Sequence, residues 1–160
     1  MGLKPDSKSV NSPGTGIKYE ELEDDEPLNP QERTCYRQIV ARGNYISQDR
    51  CDIQYAVKEL SRGMSSPKAS DMRALKSFGR YLVGRTRYVI RYNRQRRVQG
   101  ISTQVDTDHA GCLRTRKSTS VGVLKLGNHV IKTWAHTQSV IALSSGEAEY
   151  YGMVKGASYS

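Results

Sequence analysis

Apolar positions recur with two different periods along this chain, and the period changes near residue 87. Before that point they return every three to four residues. From Asn29 the run Asn-Pro-Gln-Glu offers an N-cap, a proline at the first helical position and an acid at the third. A helix is predicted there, with Tyr36, Ile39 and Val40 on one side. A second helix is predicted over 52–64, with Ile53, Ala56, Val57, Leu60 and Met64 in a stripe. A third follows Ser66-Pro67, turning Met72, Leu75, Phe78, Gly79 and Leu82 inward and stopping at Gly84.

Beyond residue 87 the period shortens to two. RYVIRY, GISTQVDTD, STSVGVLKLG and HVIKTWAHT read as short strands, and Gly127-Asn128 is a hairpin signal between the last two. Ser144-Ser145-Gly146-Glu147 then reads as a capping box, with Ser144 as N-cap and Glu147 reaching back, opening a helix over AEYYGMVKGAS. The expected class is α+β: a helical unit over 29–86, then over 87–160 an antiparallel three-strand meander followed by a helix. Residues 1–28, rich in Ser, Pro, Gly and acid, are expected to be a disordered acidic linker.

Composition narrows the setting. A chain of 160 residues with 36% hydrophobic content can build one modest core or a small domain with an appendage. Cys35, Cys51 and Cys112 form no CxxC pair, so neither a disulfide framework nor a zinc site is indicated. No apolar run approaches the roughly 20 residues of a membrane helix, and MGLKPDSK has neither a signal-peptide core nor a myristoylation pattern. The expectation is an intracellular protein, in a cytoplasmic particle or the nucleus, neither secreted nor membrane-bound.

Charge changes the picture more. The net +9 hides a tail over 1–29 at −4, which leaves the remaining 131 residues at +13. Between Asp71 and Asp106 there is no acid, while nine cations fall in the interval, among them Arg94, Arg96 and Arg97. Such a block suits a polyanion, because each neutralised phosphate releases condensed counterions. A solvated basic face is the plainer reading.

Against this basic background, four carboxylates sit in two small groups, VDTDHAG at 105–111 and LSSGEAEY at 143–150. A strand with an aspartate at an inner position and a helix with a glutamate near its first turn can bring two carboxylates over one sheet edge. Carboxylate oxygens are the ligands Mg²⁺ prefers. Two aspartates in a turn are also common loop features, and a first-turn glutamate is commonly a capping or dipole residue.

VDTDHAG, RKSTSVGV, and Trp134 followed by AHTQSVIALSSGEAEY together resemble the ribonuclease H segment of copia-type long-terminal-repeat retrotransposon Pol polyproteins. That family runs D-A-D-W-A-G, R-K-S-T-S-G, I-S-W, then K-Q-S-V-V-A-L-S-S-T-E-A-E-Y. Upstream, YRQIVARGNYISQDRCDIQYAVKELSRGMSSP and GRYLVG are similar to the end of the reverse transcriptase region of the same polyproteins. The resemblance covers residues 36–160 with its order preserved. It implies a helical end of the reverse transcriptase or connection region over 29–86 and a partial, truncated ribonuclease H-like fold over 87–160.

The resemblance also implies roles. The family's first metal-binding aspartate falls on Asp106 and its metal-binding glutamate on Glu149, as catalytic ligands of Mg²⁺, with Asp108 a lesser metal ligand and Glu147 left to the helix cap. An RNA–DNA hybrid would be the nucleic-acid partner, and the remainder of the Pol polyprotein the protein partner. Arg116, Lys117 and Ser118, with Arg94, Arg96 and Arg97, are the candidate nucleic-acid contacts. Ser118, Thr119 and Ser120 could equally be a polar strand edge.

Several positions depart from the family. His109 stands where Trp or Phe is usual, Cys51 where Pro is common, and Gly146 where Thr is common. The C-D-N-Q-like block that completes the site and the Y-x-D-D element of reverse transcriptase are absent from this sequence. The expectation is therefore a polyprotein fragment from a region that degrades RNA in hybrids, inactive alone; a non-catalytic polyanion-binding remnant is the alternative. Trp134 is expected to be a core anchor, and the three scattered histidines give no metal pattern.

Overall fold

The computed structural model describes residues 7–14, 25–97 and 100–160. They divide between two compact units, the boundary falling between Val89 and Ile90.

The first unit is helical. Helix α1, Pro30–Ile46, begins at Asn29, whose side chain accepts from Glu32 N at 2.9 Å while the Glu32 carboxylate accepts from Asn29 N at 3.4 Å. Both halves of the capping box are therefore made, with Pro30 at N1, where its missing N–H costs nothing. Helix α2, Gln54–Arg62, is preceded by a 3-10 turn, Cys51–Ile53, so the α-helix starts later than the stripe predicts. The cause is Asp52. Its carboxylate takes two 2.8 Å bonds from the Arg50 guanidinium and a third, at 2.7 Å, from the Tyr81 hydroxyl, so it caps no helix. The Arg50 fork holds that carboxyl below its ordinary range.

Helix α3 runs Ala69–Gly84. Tyr36, Val40, Ile53, Val57, Leu60, Leu75 and Phe78 from the three helices and the 3-10 turn make the core, and the buried Tyr36 hydroxyl donates to Leu60 O at 2.6 Å. Met64, Met72 and Leu82 pack against that core half-buried. Cys51 Sγ lies 2.8 Å from the Tyr88 hydroxyl, and that bond pushes the phenol up to about 12.

Part of the segment expected to be a linker belongs to this unit. Leu28 is a core member and Val10 packs against the core. Leu28 N donates to Pro67 O, Ala69 N to Glu26 O, and Ser70 N and Oγ to the two oxygens of Asp25. Asp25 thus supplies an acceptor and a negative charge to the open N–H groups at the start of α3. The acids between Glu20 and Asp24 lie outside the described residues.

The second unit is an antiparallel sheet of β1 (Ile101–Asp108), β2 (Thr119–Leu126) and β3 (His129–Thr137) in that spatial order, with helix α4 (Ser145–Ala157) on one face. β1 is an edge strand. The expected strand RYVIRY is not one: no ladder forms over 87–92, where Tyr88, Val89, Ile90 and Tyr92 are all exposed. Its alternation has no buried face to select a register, and only burial fixes one.

Small residues seat α4. Ala148, Gly152 and Gly156 are buried; a Cβ on Gly152 would stand 2.4 Å from Thr107 Oγ1, and one on Gly156 2.5 Å from Val105 Cγ2. Moving up the helix the partners move down the strand, so α4 runs antiparallel to β1. Gly122 lies opposite Trp134 in the β2–β3 register, and the indole lies where a Cβ at Gly122 would be. Trp134 is buried and meets the Tyr159 ring edge-on at 4.8 Å, the anchor role its sequence position implies.

Candidate functional site

Strand alternation decides where the first acidic group points. Thr103, Val105 and Thr107 face α4, so Asp106 and Asp108 lie on the opposite face. Asp106 is exposed, opposite Val121 of β2, and its Oδ1 accepts from Thr107 N at 2.9 Å. The expectation of an inner position for Asp106 is thus corrected. Val105 takes the inner place, because an aliphatic side chain gains by burial against α4 and a carboxylate loses by it.

Asp108 has a structural partner set. Its Oδ1 accepts from Thr119 N at 2.7 Å, and its carboxyl occupies the space a side chain at Gly111 would need. It latches the 109–118 connection to the start of β2. In that connection Ala110 and Arg116 both have positive φ, 53° and 56°. Arg116 N donates to Cys112 O at 2.7 Å and Cys112 N to Lys117 O at 3.2 Å. Arg116 remains exposed, while Lys117 Nζ donates to Ser139 O at 2.6 Å. Ser118 is wholly buried with its hydroxyl accepting from Ala110 N, and Thr119 and Ser120 are buried beside it. Ser118 therefore lies inside the unit, not on a surface that could meet phosphate.

The second acidic group opens α4. Ser144 Oγ accepts from Glu147 N at 3.1 Å, but Glu147 does not return the bond to Ser144; its Oε2 accepts from Leu143 N at 2.8 Å and its Oε1 from the Tyr151 hydroxyl at 3.1 Å. The box is half-made, and the carboxylate raises the Tyr151 phenol above its usual range. Glu149 is exposed, next to the buried Ala148 and one turn before Gly152. Because α4 is antiparallel to β1, that places it toward the Asp108 end of the strand.

Among the described residues no three His, Cys, Asp or Glu groups converge to hold a metal ion. With Asp106 turned away from the helix face, Asp106 and Glu149 do not by themselves fit a two-ion Mg²⁺ site, and no reaction step follows from them alone.

The basic residues separate into two groups. Arg116 and Lys117 precede β2, near the acids. Arg91, Arg94, Arg96 and Arg97 stand at the far end of β2, where with Asn93 and Asn128 they line a cavity of about 430 Å³. Eight residues of β2 lie between the groups, a separation on the order of 25 Å. Sequence reasoning missed what holds the second group and what holds α4. Gln95, an uncharged residue inside the basic stretch, bridges to the β2–β3 turn through both ends of its amide. Gln138, buried after β3, donates to Ser120 Oγ at 2.9 Å and Ala148 O at 2.7 Å, tying sheet to helix. Neither carries a short-range signal.

Comparison with known proteins gives relatives but no fold. The chain is 35% identical over 117 residues to the retrovirus-related Pol polyprotein from transposon RE1 of Arabidopsis thaliana, covering 73% of this chain and 8% of that protein. It is 32% identical over 115 residues to the uncharacterized mitochondrial protein AtMg00810 of the same plant, covering 72% of this chain and 48% of the relative. A third relative, the secreted RxLR effector protein 161 of Plasmopara viticola, is 33% identical over 104 residues, 65% of this chain and 72% of its own. The chain thus spans less than half the length of the first two. No family model matches it, and no solved structure does.

Proposed function

Because the chain belongs to the family of retrovirus-related Pol polyproteins of copia-type transposons, we propose that it is the stretch joining the end of the reverse transcriptase region to a ribonuclease H-like half-domain. In the complete polyprotein this region would degrade the RNA strand of RNA–DNA hybrids. Asp106 and Glu149 stand at the positions that match the family's metal ligands, but Asp106 lies on the face of β1 away from α4, so the reading assigns this pair no step of its own. What carries the reading is the similarity to the RE1 polyprotein over 73% of the chain. The order of β1, two antiparallel strands and a helix bearing Glu149 near its start is consistent with it.

For the 160-residue chain itself, the second reading is favoured by a separate observation, the acid-free basic stretch and its arginine-lined cavity. On that reading the chain binds nucleic acid by charge and cuts nothing. The two readings part on one assay. Purified chain incubated with Mg²⁺ and an end-labelled RNA–DNA hybrid is expected to leave the RNA intact, with Asp106→Asn behaving as the parent. Metal-dependent cleavage that Asp106→Asn abolishes would mean that the chain assembles a working site.

A further inference from the structure

We propose that the cavity at the β2–β3 turn is a built seat for nucleic-acid backbone phosphate, and not a patch of independent surface charges. The proposal rests on the nucleic-acid reading above and deepens it by naming where the backbone is held.

Four arginines, Arg91, Arg94, Arg96 and Arg97, line one space that no acidic residue lines among the described residues. Among the described residues none of the four forms an ion pair. Like charges gathered around a cavity repel one another, and an anion entering it removes that repulsion. Guanidinium forks match phosphate oxygens two at a time, and Asn93 and Asn128 add uncharged amides to the wall. At about 430 Å³ the cavity is at the small end of ligand sites, suited to a phosphodiester with its sugar rather than to a base pair.

The frame beneath the arginines distinguishes a seat from a loose basic strand. Residues 92–95 form a strap bound to the hairpin by four side-chain bonds. The Tyr92 hydroxyl donates to Val130 O at 3.0 Å, Gln95 Nε2 donates to Leu126 O at 3.1 Å, and Gln95 Oε1 accepts from Asn128 N at 2.9 Å. His129 Nε2 lies 2.6 Å from Asn93 O, and the His129 ring meets Tyr92 edge-on at 5.2 Å. Gly127 admits the strap: its φ is +59°, and a Cβ there would stand 2.2 Å from Gln95 Oε1. A backbone fixed in this way holds the arginines close to a binding arrangement before a ligand arrives, which lowers the ordering cost of binding. Contacts to phosphate alone predict indifference to base sequence.

The test uses the full chain, fluorescence anisotropy and a labelled single strand of about 12 nucleotides, within the usual site size for such binding. Arg94→Gln/Arg96→Gln is compared with Arg85→Gln/Arg87→Gln, an equal charge change outside the cavity. At about 0.1 M salt the cavity pair is expected to weaken binding by about tenfold and to lower the slope of log K against log salt by about 1 to 2, and the control pair by clearly less. Gln95→Ala, which removes no charge, is expected to weaken binding several-fold by freeing the strap. Equal losses in the two pairs would overturn the seat while leaving nucleic-acid binding intact, and so would a Gln95→Ala chain that binds like the parent. A parent chain that binds no strand even at low salt would instead overturn the nucleic-acid reading on which the seat rests.

Discussion

Asp106 and Asp108 share one face of one strand, yet their oxygens have different partners. Among the described residues Asp106 Oδ1 bonds only to the next residue's N–H, and the side chain is exposed. Asp108 Oδ1 holds Thr119 N, so its loss would free the β1–β2 connection. The spacing D-x-D gave no means of telling the two apart. Asp52 is a third carboxylate, held by the Arg50 fork and Tyr81. Its carboxyl is lowered in the folded state, so it contributes stability above the unfolded value of about 3.9, and that contribution is lost as pH falls through the lower folded value. Asp52→Asn is expected to cost about 1 to 2 kcal/mol at neutral pH. In urea unfolding followed against pH, the gap to the parent should close as the solution is acidified below about 4; a gap independent of pH would refute the ion-pair account.

Among the elements, α1 and α4 illustrate how far local signals reach. The α1 box formed as read, because all its atoms lie within four residues. The α4 box formed on one side only, because Glu147 found Leu143 N and Tyr151 instead of Ser144 N. Two glycines of α4 then predict opposite outcomes. Gly152→Val places a side chain against Thr107 and Val105 and is expected to destabilise by about 1 to 3 kcal/mol. Gly146 has nothing within 4 Å of an added Cβ, so Gly146→Ala is expected to stabilise by a fraction of the roughly 1 kcal/mol seen in helix interiors. Denaturant midpoints by circular dichroism check both, and a shift of the same sign in the two variants would contradict the packing described. At α3 the cap comes from Asp25, 45 residues before Ser70. Asp25→Ala is expected to lower the thermal midpoint in line with a lost cap of about 1 kcal/mol; an unchanged midpoint would mean that the bond contributes nothing.

For the molecule as a whole, charge is distributed by sequence and focused by folding. The acid-free stretch from Met72 to Val105 predicts that binding to any nucleic acid weakens steeply as salt is added and does not respond to Asp106→Asn. Affinity unmoved between low and moderate salt would count against that. By itself the sequence determined the α+β class, the four helices, three of the four strands read from alternation, the Gly127-Asn128 turn and the basic excess. Each follows from neighbours a few residues apart: a period, a cap, a turn glycine or a run of like charge. Only the tertiary structure decided that RYVIRY forms no strand ladder, that Val105 and not Asp106 faces the helix, that Ser118 is buried, and that Arg94, Arg96 and Arg97 gather away from Arg116 and Lys117. Alternation groups Thr103, Val105 and Thr107 on one face, but only packing against α4 makes that face the inner one. The others depend on which surfaces find a partner across tens of residues, and on bonds such as Gln95 to Asn128, for which the local sequence has no code.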